Sequence, residues 1–506
     1  MQKSFTIALF VILVFSACKN HEPIGISNQH PGYWEYKGQT VLLIGGWNHG
    51  HNPFLDHNTM DSTDKSTEAQ IISALDELQE AGGNLIRCVL DPGAGAGRLG
   101  FDFCAGSGEL YDLSEMTGPY WDRLDLLFRE AEKREIIIGM EIWDRFDWYD
   151  FWGTGGFNNW ENSPFNPKNN INYTTETSGL EETYMLAGGK PRNPFGFSTP
   201  GQLAYDTADA SGKKRHDLVR KYQEGFIDKL LSVTFKYGNV LYSANNEVRF
   251  QDPAWGEYWI NYIRRKAEAQ DRTVICTDMF WDLIDLPGPS DFDYLMENSD
   301  FYDYFDISQS CLHKRQDSET ERDIGEQHWA KITYAANNAG SVNRLLHMNK
   351  IYGCNLKNDL WMGGDNNAIE DFWRSLFAGV AGVRFHRPPW GLGLSEKAKH
   401  SMKAVRFIEK RIKFWEVEPH QELLSGLQQD EAYLAAKPGE KYLLFFTDGG
   451  SAGLNLESYE GTLYELTWFD IDAGMESGAQ EQIGGGAIVD INAPGDGHWV
   501  AIIHRI

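Results

Sequence analysis

Apolar runs of strand length alternate with amphipathic stretches of helix length through most of the chain. The apolar runs occupy residues 41–44, 84–90, 136–142, 240–243, 274–277, 305–308, 350–352 and 382–385. Amphipathic stretches follow most of them, at residues 67–80, 120–133, 216–236, 254–270, 368–378 and 395–415. This alternation predicts parallel strands joined by crossover helices, and eight such units predict an α/β fold of the (β/α)8 TIM-barrel type.

The pattern changes near residue 417. Short runs follow at residues 432–435, 441–446, 463–469, 487–491 and 499–504, and Gly, Asp and Pro turns separate them. Such spacing is typical of an all-β domain. We therefore predict a TIM barrel over residues 31–416 and a small β-sandwich over residues 417–506, with residues 19–30 as a linker.

Residues 1–18 have the pattern of a lipoprotein signal peptide. Lys3 supplies a positive charge, residues 5–15 are apolar except for Thr6, and small residues precede Cys18. The Phe-Ser-Ala-Cys ending resembles a bacterial lipobox, which implies that Cys18 carries lipid. We expect a protein of the bacterial cell envelope, in the outer membrane or periplasm, attached to the membrane by this lipid. An ordinary cleaved signal with an incidental cysteine is the alternative.

Net charge narrows the possible partners. Asp and Glu total 73 against 46 Lys and Arg, which gives a formal net charge of −27, so the overall field repels nucleic acid. A locally basic cleft is still compatible with an anionic ligand, because charges beyond a Debye length of about 8 to 10 Å are largely screened. The cysteines and histidines form no zinc-binding pattern, and we predict no metal and no cofactor.

Polar and aromatic residues follow several of the predicted strands. In a TIM barrel the loops after the strands surround one mouth, where active sites lie. Sugars bind to aromatic faces beside side chains that form hydrogen bonds. We therefore predict a carbohydrate-binding mouth that contains Trp47, Asn48, His49, Trp143, Asp144, Asn246, His313, His386 and Arg387. Core packing is the alternative for any single tryptophan, and a structural role is the alternative for any single histidine.

These residues divide into two kinds of contact. Trp47 and Trp143 are expected to stack on a sugar ring, while Asn246 holds a hydroxyl near the reacting carbon. The remaining basic side chains are expected to hydrogen-bond hydroxyls or, if clustered, to neutralise a uronate or sulfate. They are His49, His313, His386 and Arg387.

Glu247 is the main candidate for a catalytic residue. The apolar run at residues 240–243 leads directly into Asn245, Asn246 and Glu247, which places a carboxyl group at the end of the fourth predicted strand. Glycoside hydrolysis needs such an acid to protonate the leaving oxygen, together with a second carboxylate as nucleophile or base. The alternative is that Glu247 caps a helix or pairs with Arg249.

The segment resembles the acid/base site of the large clan of retaining barrel glycosidases, in which an Asn-Glu pair ends the fourth strand. Other motifs resemble apiosidase-like glycoside hydrolases: Gly-Gly-Asn-Leu-Ile-Arg at 82–87, Asn-Pro-Lys-Asn-Asn-Ile-Asn at 166–172, Phe-Ala-Gly-Val-Ala-Gly-Val at 377–383 and Tyr-Glu-Leu-Thr-Trp-Phe at 464–469. In that group a β-sandwich of the collagen-binding type follows the barrel. The resemblance implies a retaining glycosidase that acts on a polysaccharide or oligosaccharide.

The sequence departs from this family where the second carboxylate is expected. The family places a Glu nucleophile after the seventh strand, but residues 350–355 contain no carboxylate. Asp365 is the candidate that we select as second catalytic residue, and a helix N-cap is the equal alternative for it. Glu141 and Asp144 are further candidates, and an inverting mechanism stays open.

Two rival functions come from other classes. His49-Gly50-His51 is similar to the two-histidine pair of metal-dependent barrel hydrolases, although Trp47 and Asn48 intervene after the first predicted strand. The missing nucleophile favours a second rival, a non-catalytic glycan-binding lipoprotein built on a glycosidase-like barrel.

Overall fold

The computed structural model describes residues 22–50, 52–54, 66–90, 101–103, 110–116, 118–145, 159–183, 194–247, 253–281, 290–311, 320–353 and 363–506. Up to residue 385 its strands, numbered in chain order, are β1 (Gly25–Ile26), β2 (Trp34–Tyr36), β3 (Gln39–Val41), β4 (Leu43–Gly45), β5 (Leu85–Val89), β6 (Asp102–Phe103), β7 (Tyr111–Asp112), β8 (Ile137–Asp144), β9 (Val240–Asn246), β10 (Cys276–Thr277), β11 (Phe305–Asp306), β12 (Leu346–Ile351) and β13 (Gly382–Phe385).

Eight of these strands form the predicted barrel. They pair in parallel in the order β10-β9-β8-β5-β4-β13-β12-β11. A parallel bridge between Met279 and Asp306 joins the two ends of the sheet. Each of the eight predicted apolar runs overlaps one barrel strand, so the TIM-barrel prediction is confirmed. The mouth is formed where the carboxyl ends of these strands meet.

The helices are α1 (Glu68–Glu80), α2 (Pro119–Lys133), α3 (Thr175–Ser178), α4 (Leu203–Asp206), α5 (Ala210–Thr234), α6 (Ala254–Glu268), α7 (Asp291–Glu297), α8 (Glu321–Ser341), α9 (Asp365–Phe377) and α10 (Glu396–Ile408). In α1, Thr67 and Gln70 form a capping box and the buried residues recur every three or four positions, as an amphipathic helix requires. The last predicted helix is too long, because α10 ends at Ile408 and a separate turn then buries Phe414. No helix in the described ranges is both long and apolar enough to cross a bilayer.

A small antiparallel sheet of β1, β2 and β3 covers the bottom of the barrel. Trp34 of β2 is fully buried and packs edge-to-face on Tyr304 and His347, with ring centroids 5.1 and 5.7 Å apart. Both partners lie near the amino ends of barrel strands, so access to the barrel interior is from the mouth. β1 lies in the stretch expected as a linker and pairs with β2.

The C-terminal part consists of antiparallel strands, as predicted. They are β14 (Glu418–Pro419), β15 (Leu424–Ser425), β16 (Ala432–Lys437), β17 (Lys441–Phe446), β18 (Ser451–Asn455), β19 (Leu463–Asp470), β20 (Met475–Gly484), β21 (Ile488–Asn492) and β22 (Trp499–Arg505). They form one six-stranded sheet, β14-β16-β17-β22-β19-β20, and one three-stranded sheet, β15-β18-β21.

Alternation along β17 shows how the larger sheet is buried on both faces. Tyr442 and Leu444 pack in the core between the two sheets, whereas Leu443 and Phe445 belong to the core of the barrel. The Phe445 ring stacks on Trp373 of α9, with ring centroids 5.8 Å apart. The C-terminal sheets are therefore packed firmly on the barrel helices.

Candidate active site

Glu247 stands at the carboxyl end of β9 with an unusual backbone conformation. Its φ angle is 58°, in the left-handed region that non-glycine residues rarely occupy. Such a conformation costs on the order of 1–3 kcal/mol and persists only where the surrounding structure holds it. The residue is only 5% exposed, so it is fixed by its neighbours in the mouth.

Four side chains from three other parts of the barrel contact the Glu247 carboxylate. Lys350 Nζ donates to Oε1 at 2.5 Å, and Gln309 Nε2 donates to the same oxygen at 2.9 Å. Arg145 Nη2 donates to Oε2 at 2.7 Å, and the Tyr352 hydroxyl lies 3.4 Å from Oε1. None of the four is a carboxylate, and Asp365 is not among them.

These contacts set the charge of Glu247. Burial by itself raises the pKa of this carboxyl, but the positive charges of Lys350 and Arg145 lower it to about 2. Glu247 is therefore ionised at neutral pH. An ionised carboxylate can act as a nucleophile or a base, whereas the sequence alone predicted a proton donor.

Lys350 lies near the carboxyl end of β12, the seventh barrel strand, after which the resembling family carries its nucleophile. The pairing of β12 with β13 shifts register between Met348 and Ile351. Asn349 Nδ2 donates to Asp306 in the barrel at 3.1 Å, and the adjacent Lys350 Nζ donates to Asn246 Oδ1 at 2.6 Å. A β-bulge re-aims side chains in this way, so two consecutive residues face inward. The departure noted in the sequence is thus a lysine in contact with Glu247.

Asp144, Asn246 and Glu247 are brought together as the sequence predicted. Asp144 of β8 lies beside Asn246 of β9 in the sheet, and Asn246 Nδ2 donates to Asp144 Oδ1 at 2.9 Å. Since Lys350 donates to Asn246 Oδ1, both ends of the Asn246 amide are engaged. Asn246 therefore links the fourth barrel strand to the third and the seventh.

A second ion pair joins Arg87 of β5 and Glu141 of β8. Arg87 Nε donates to Glu141 Oε1 at 2.6 Å, and Nη2 donates to Oε2, so the contact is bidentate. The charges of Asp144 and Glu247 also act on Arg87. Glu141, a candidate second carboxylate, is therefore neutralised by an arginine.

His386 and Arg387 follow the eighth barrel strand, β13, as predicted. The His386 ring packs edge-on against Tyr352, with ring centroids 5.0 Å apart. The Arg387 guanidinium lies 4.2 Å from the ring centroid of Trp390. Both residues are buried, and Tyr352 connects His386 to the group around Glu247.

The two tryptophans expected to stack on sugar are both 1% exposed. Trp143 packs against Trp255 and Trp259 of α6, with ring centroids 5.8 and 5.2 Å away, which places it between strand and helices. Trp47 packs edge-on against His49 at 5.5 Å. Neither ring presents an open face in this structure, so their stacking role stays a prediction.

Asn48 and Asp365 have identifiable structural contacts. Asn48 Oδ1 accepts a hydrogen bond from the backbone N–H of Leu394 at 2.7 Å and so ties the first loop to the segment after β13. Asp365 is the first residue of α9 and pairs with Lys397 of α10 at 3.0 Å. The N-cap of α9 is Gly364, not Asp365.

Some predicted residues lie outside the described ranges, namely His51, His313 and Cys18. Within those ranges, no group of three or more His, Cys, Asp or Glu side chains is arranged to hold a metal ion. Sequence reasoning gave no role in the mouth to Arg145, Gln309, Lys350 or Tyr352. For Arg145, Gln309 and Tyr352, a position at or just after the end of a predicted strand was the available indication. Lys350 gave no such indication, because it begins the predicted run at 350–352.

Comparison with solved structures shows a shared fold. The chain is similar to a glycoside hydrolase family 5 protein from Bacteroides vulgatus, with a TM-score of 0.59 and 14% sequence identity over 95% of this chain and 93% of that one. Another structure, described as a glycoside hydrolase, gives a TM-score of 0.58 and 12% identity over 96% of this chain and 97% of that one. Neither a protein-family model nor a curated protein matches the sequence. At these identities the similarity shows that the chain has the fold of these glycoside hydrolases over nearly its whole length.

Proposed function

We propose that the protein is a glycoside hydrolase that acts on a polysaccharide or oligosaccharide at the barrel mouth. The observation that carries the proposal is the buried, ionised Glu247 at the carboxyl end of the fourth barrel strand, held by groups from around the mouth. TIM-barrel enzymes place their reacting residues at these strand ends. The shared fold with glycoside hydrolases supports a carbohydrate substrate by analogy.

The charge of Glu247 favours one role over another. As an ionised carboxylate it is suited to attack the anomeric carbon, with retention, or to take a proton from water, with inversion. The proton for the leaving oxygen then comes from a neighbouring group. Lys350 is a candidate, because burial lowers its pKa and it lies beside Glu247.

Release of reducing ends from a panel of polysaccharides, by the native chain and by Glu247→Gln, tests this proposal. We expect the substitution to lower the rate at least about 100-fold, the usual scale for losing an acid–base group. Glu130→Gln is the matched control, because Glu130 also pairs with a lysine and an arginine, Lys133 and Arg134, but lies on α2. Equal rates for the native chain and Glu247→Gln would contradict the proposal.

A non-catalytic glycan-binding protein is the second candidate. The contact between Lys350 and Glu247 favours it, because the group that reaches Glu247 from the seventh barrel strand is a lysine and not a carboxylate. This function predicts that Glu247→Gln keeps its affinity for glycan and that the native chain releases no sugar from any polymer that it binds. Calorimetric titration with the bound polymer, beside the reducing-end assay, separates the two functions.

We also propose that the chain is attached to the bacterial envelope through lipid on Cys18, as the Phe-Ser-Ala-Cys pattern indicates. Labelled fatty acid should enter the native protein in bacterial cells, and Cys18→Ser should abolish the label and move the protein from the membrane fraction to the soluble fraction. Equal labelling of both proteins would contradict lipid attachment at this residue.

A further inference from the structure

The eighth barrel strand carries a buried arginine that has no carboxylate partner among the described residues. Arg384 of β13 is 3% exposed, and its Nη1 donates to the backbone oxygen of Asn349 at 2.8 Å. Its Nε is also buried and has no hydrogen-bond partner in the described part of the chain. Leaving a buried charge with so few partners is unfavourable, so this guanidinium has donors available for a ligand.

Two other buried arginines show what a partnered guanidinium looks like in this chain. Burial lowers the pKa of Arg87 and Arg374, but their neighbouring carboxylates outweigh it and raise both values above the ordinary range. For Arg384, burial has the largest effect and lowers the pKa, and the positive charges of Arg87 and Arg387 act in the same direction. The charge of Glu141 opposes them but does not outweigh them, so the pKa falls to about 9. Arg384 is still charged at neutral pH, and no carboxylate of the described residues forms an ion pair or hydrogen bond with it.

The surroundings of His386, two positions further along, are also positive. Burial is the largest influence on its pKa, and the charges of Arg87, Arg387, Arg384 and Lys350 act in the same direction, so the pKa lies well below its usual value. The His386 ring is therefore neutral and offers one N–H donor. The corner of the mouth at Arg384, His386 and Arg387 is thus locally cationic in a chain whose net charge is −27.

We propose that this cationic corner binds an anionic group on the sugar, the carboxylate of a uronic acid or a sulfate ester, so that the substrate is an acidic polysaccharide. This inference rests on the proposed carbohydrate substrate and names its class. The guanidinium fork matches the oxygens of both groups, and such charge-assisted hydrogen bonds are about twice as strong as neutral ones. A neutral polymer would leave Arg384 buried without an anion.

Two pairs of polymers that differ only in charge test the proposal. Polygalacturonan is compared with its fully methyl-esterified form, and κ-carrageenan with its desulfated form, by affinity electrophoresis of the native chain. We expect the acidic member of one pair to bind at least about tenfold more tightly than its neutral counterpart. The pair that shows the difference identifies carboxylate or sulfate. Equal affinity within both pairs, or no binding to either acidic polymer, would overturn the proposal.

Substitutions then locate the contact. Arg384→Gln should weaken binding of the preferred acidic polymer about tenfold and leave the neutral polymer unchanged, while Arg384→Lys should recover part of the loss. Arg264→Gln is the control, because Arg264 pairs with Asp303 outside the mouth. If Arg384→Gln does not fold, Arg387→Gln tests the same corner. An equal loss for acidic and neutral polymers in these variants would contradict the assignment.

Affinity electrophoresis measures binding and does not depend on cleavage. The proposal of an anionic substrate and the proposal of hydrolysis can therefore be contradicted independently of each other. A preference for acidic polymer without released reducing ends would contradict hydrolysis and support the charge assignment. Release of reducing ends from neutral polymers alone would overturn the charge assignment and support hydrolysis.

Discussion

Arg374 on α9 and Arg384 on β13 are both buried arginines, but their partners differ. Arg374 donates to carboxylates of Glu370, Asp371 and Asp430, and the last of these belongs to the C-terminal part. Arg384 donates to one backbone oxygen. At the contact between barrel and sheets, positive charge is matched by negative charge within the chain. At the mouth, Arg384 has no carboxylate hydrogen-bond partner among the described residues.

The comparison separates charge that holds the fold together from charge that is available to a ligand. Removing the positive member of a buried ion-pair group leaves its carboxylates uncompensated. Removing Arg384 leaves one backbone oxygen, that of Asn349, without its donor, but it strands no carboxylate among the described residues. Stability measurements can therefore tell the two apart before any substrate is known.

The largest effect on stability is expected for Arg374→Met. The substitution strands Asp430, Glu370 and Asp371 in a buried site, and we expect a loss of about 3–5 kcal/mol in the free energy of unfolding. Arg384→Met should cost less, about 1–2 kcal/mol, because only the backbone oxygen of Asn349 loses its donor and no described carboxylate does. Guanidinium denaturation of both variants measures the difference, and equal losses would remove the basis of the comparison.

The next largest effect is a pH dependence of stability, and it arises at His498, where the C-terminal sheets contact the barrel. Burial lowers the pKa of His498, but Asp472 at 2.8 Å and Glu370 at 3.8 Å raise it to about 9. Because the folded value exceeds the unfolded value of about 6.5, the stabilisation is fully present below pH 6.5 and is lost as pH rises through 9. We expect native stability to fall by about 3 kcal/mol over that window. The loss should be absent in His498→Gln, and urea titrations at pH 6 and pH 9.5 measure it.

At the mouth, Lys350→Met should lower the free energy of unfolding by a smaller amount. The stabilisation that it removes is one that is lost at low pH, not at high pH. The folded pKa of Glu247 is depressed, so its stabilisation is present above about 4.5 and is lost as pH falls toward 2. Without Lys350 we expect about 2 kcal/mol less stability at pH 7 and a shallower decline between pH 4.5 and 2. Lys133→Met, which removes an exposed partner of Glu130, is the control and should cost less than about 1 kcal/mol. If the decline of stability between pH 4.5 and 2 is the same in Lys350→Met as in the native chain, Lys350 does not set the charge of Glu247.

The smallest effect is expected for Asp365→Asn. The pair of Asp365 with Lys397 is partly exposed, so its loss should cost less than about 1 kcal/mol and change the hydrolytic rate no more than about twofold. Reducing-end release and urea denaturation measure both quantities. A rate about 100-fold lower would instead identify Asp365 as the second catalytic carboxylate that the sequence suggested.

The barrel was predictable because its strands and helices repeat a pattern that local sequence carries. The seventh strand shows the limit of this reasoning. Only residues 350–352 were predicted, whereas β12 spans Leu346–Ile351. The start of the strand was missed because His347 and Asn349 face a polar interior and interrupt the apolar pattern. Likewise β20 escaped prediction, since it is an exposed strand at the sheet edge and carries few apolar residues.

Glu247 was predictable from its place at a strand end, but its charge was not. Its pKa depends on Lys350 and Arg145, which are distant in sequence and meet it only in the closed barrel. The orientation of the Trp143 side chain was not predictable either, because a tryptophan at a strand end can face the mouth or the surrounding helices. Contacts between remote strands, which no local pattern records, determine both properties.

The irregularity in β12 has a consequence for how this protein and its relatives can change. Because the backbone already turns the side chain at position 350 toward Glu247, we expect Lys350→Glu to place a second carboxyl group beside it. One nucleotide change in a lysine codon is sufficient for that replacement. A barrel with a lysine beside Glu247 and a barrel with a carboxylate there are therefore separated by one substitution, which directed mutagenesis can make in a single step.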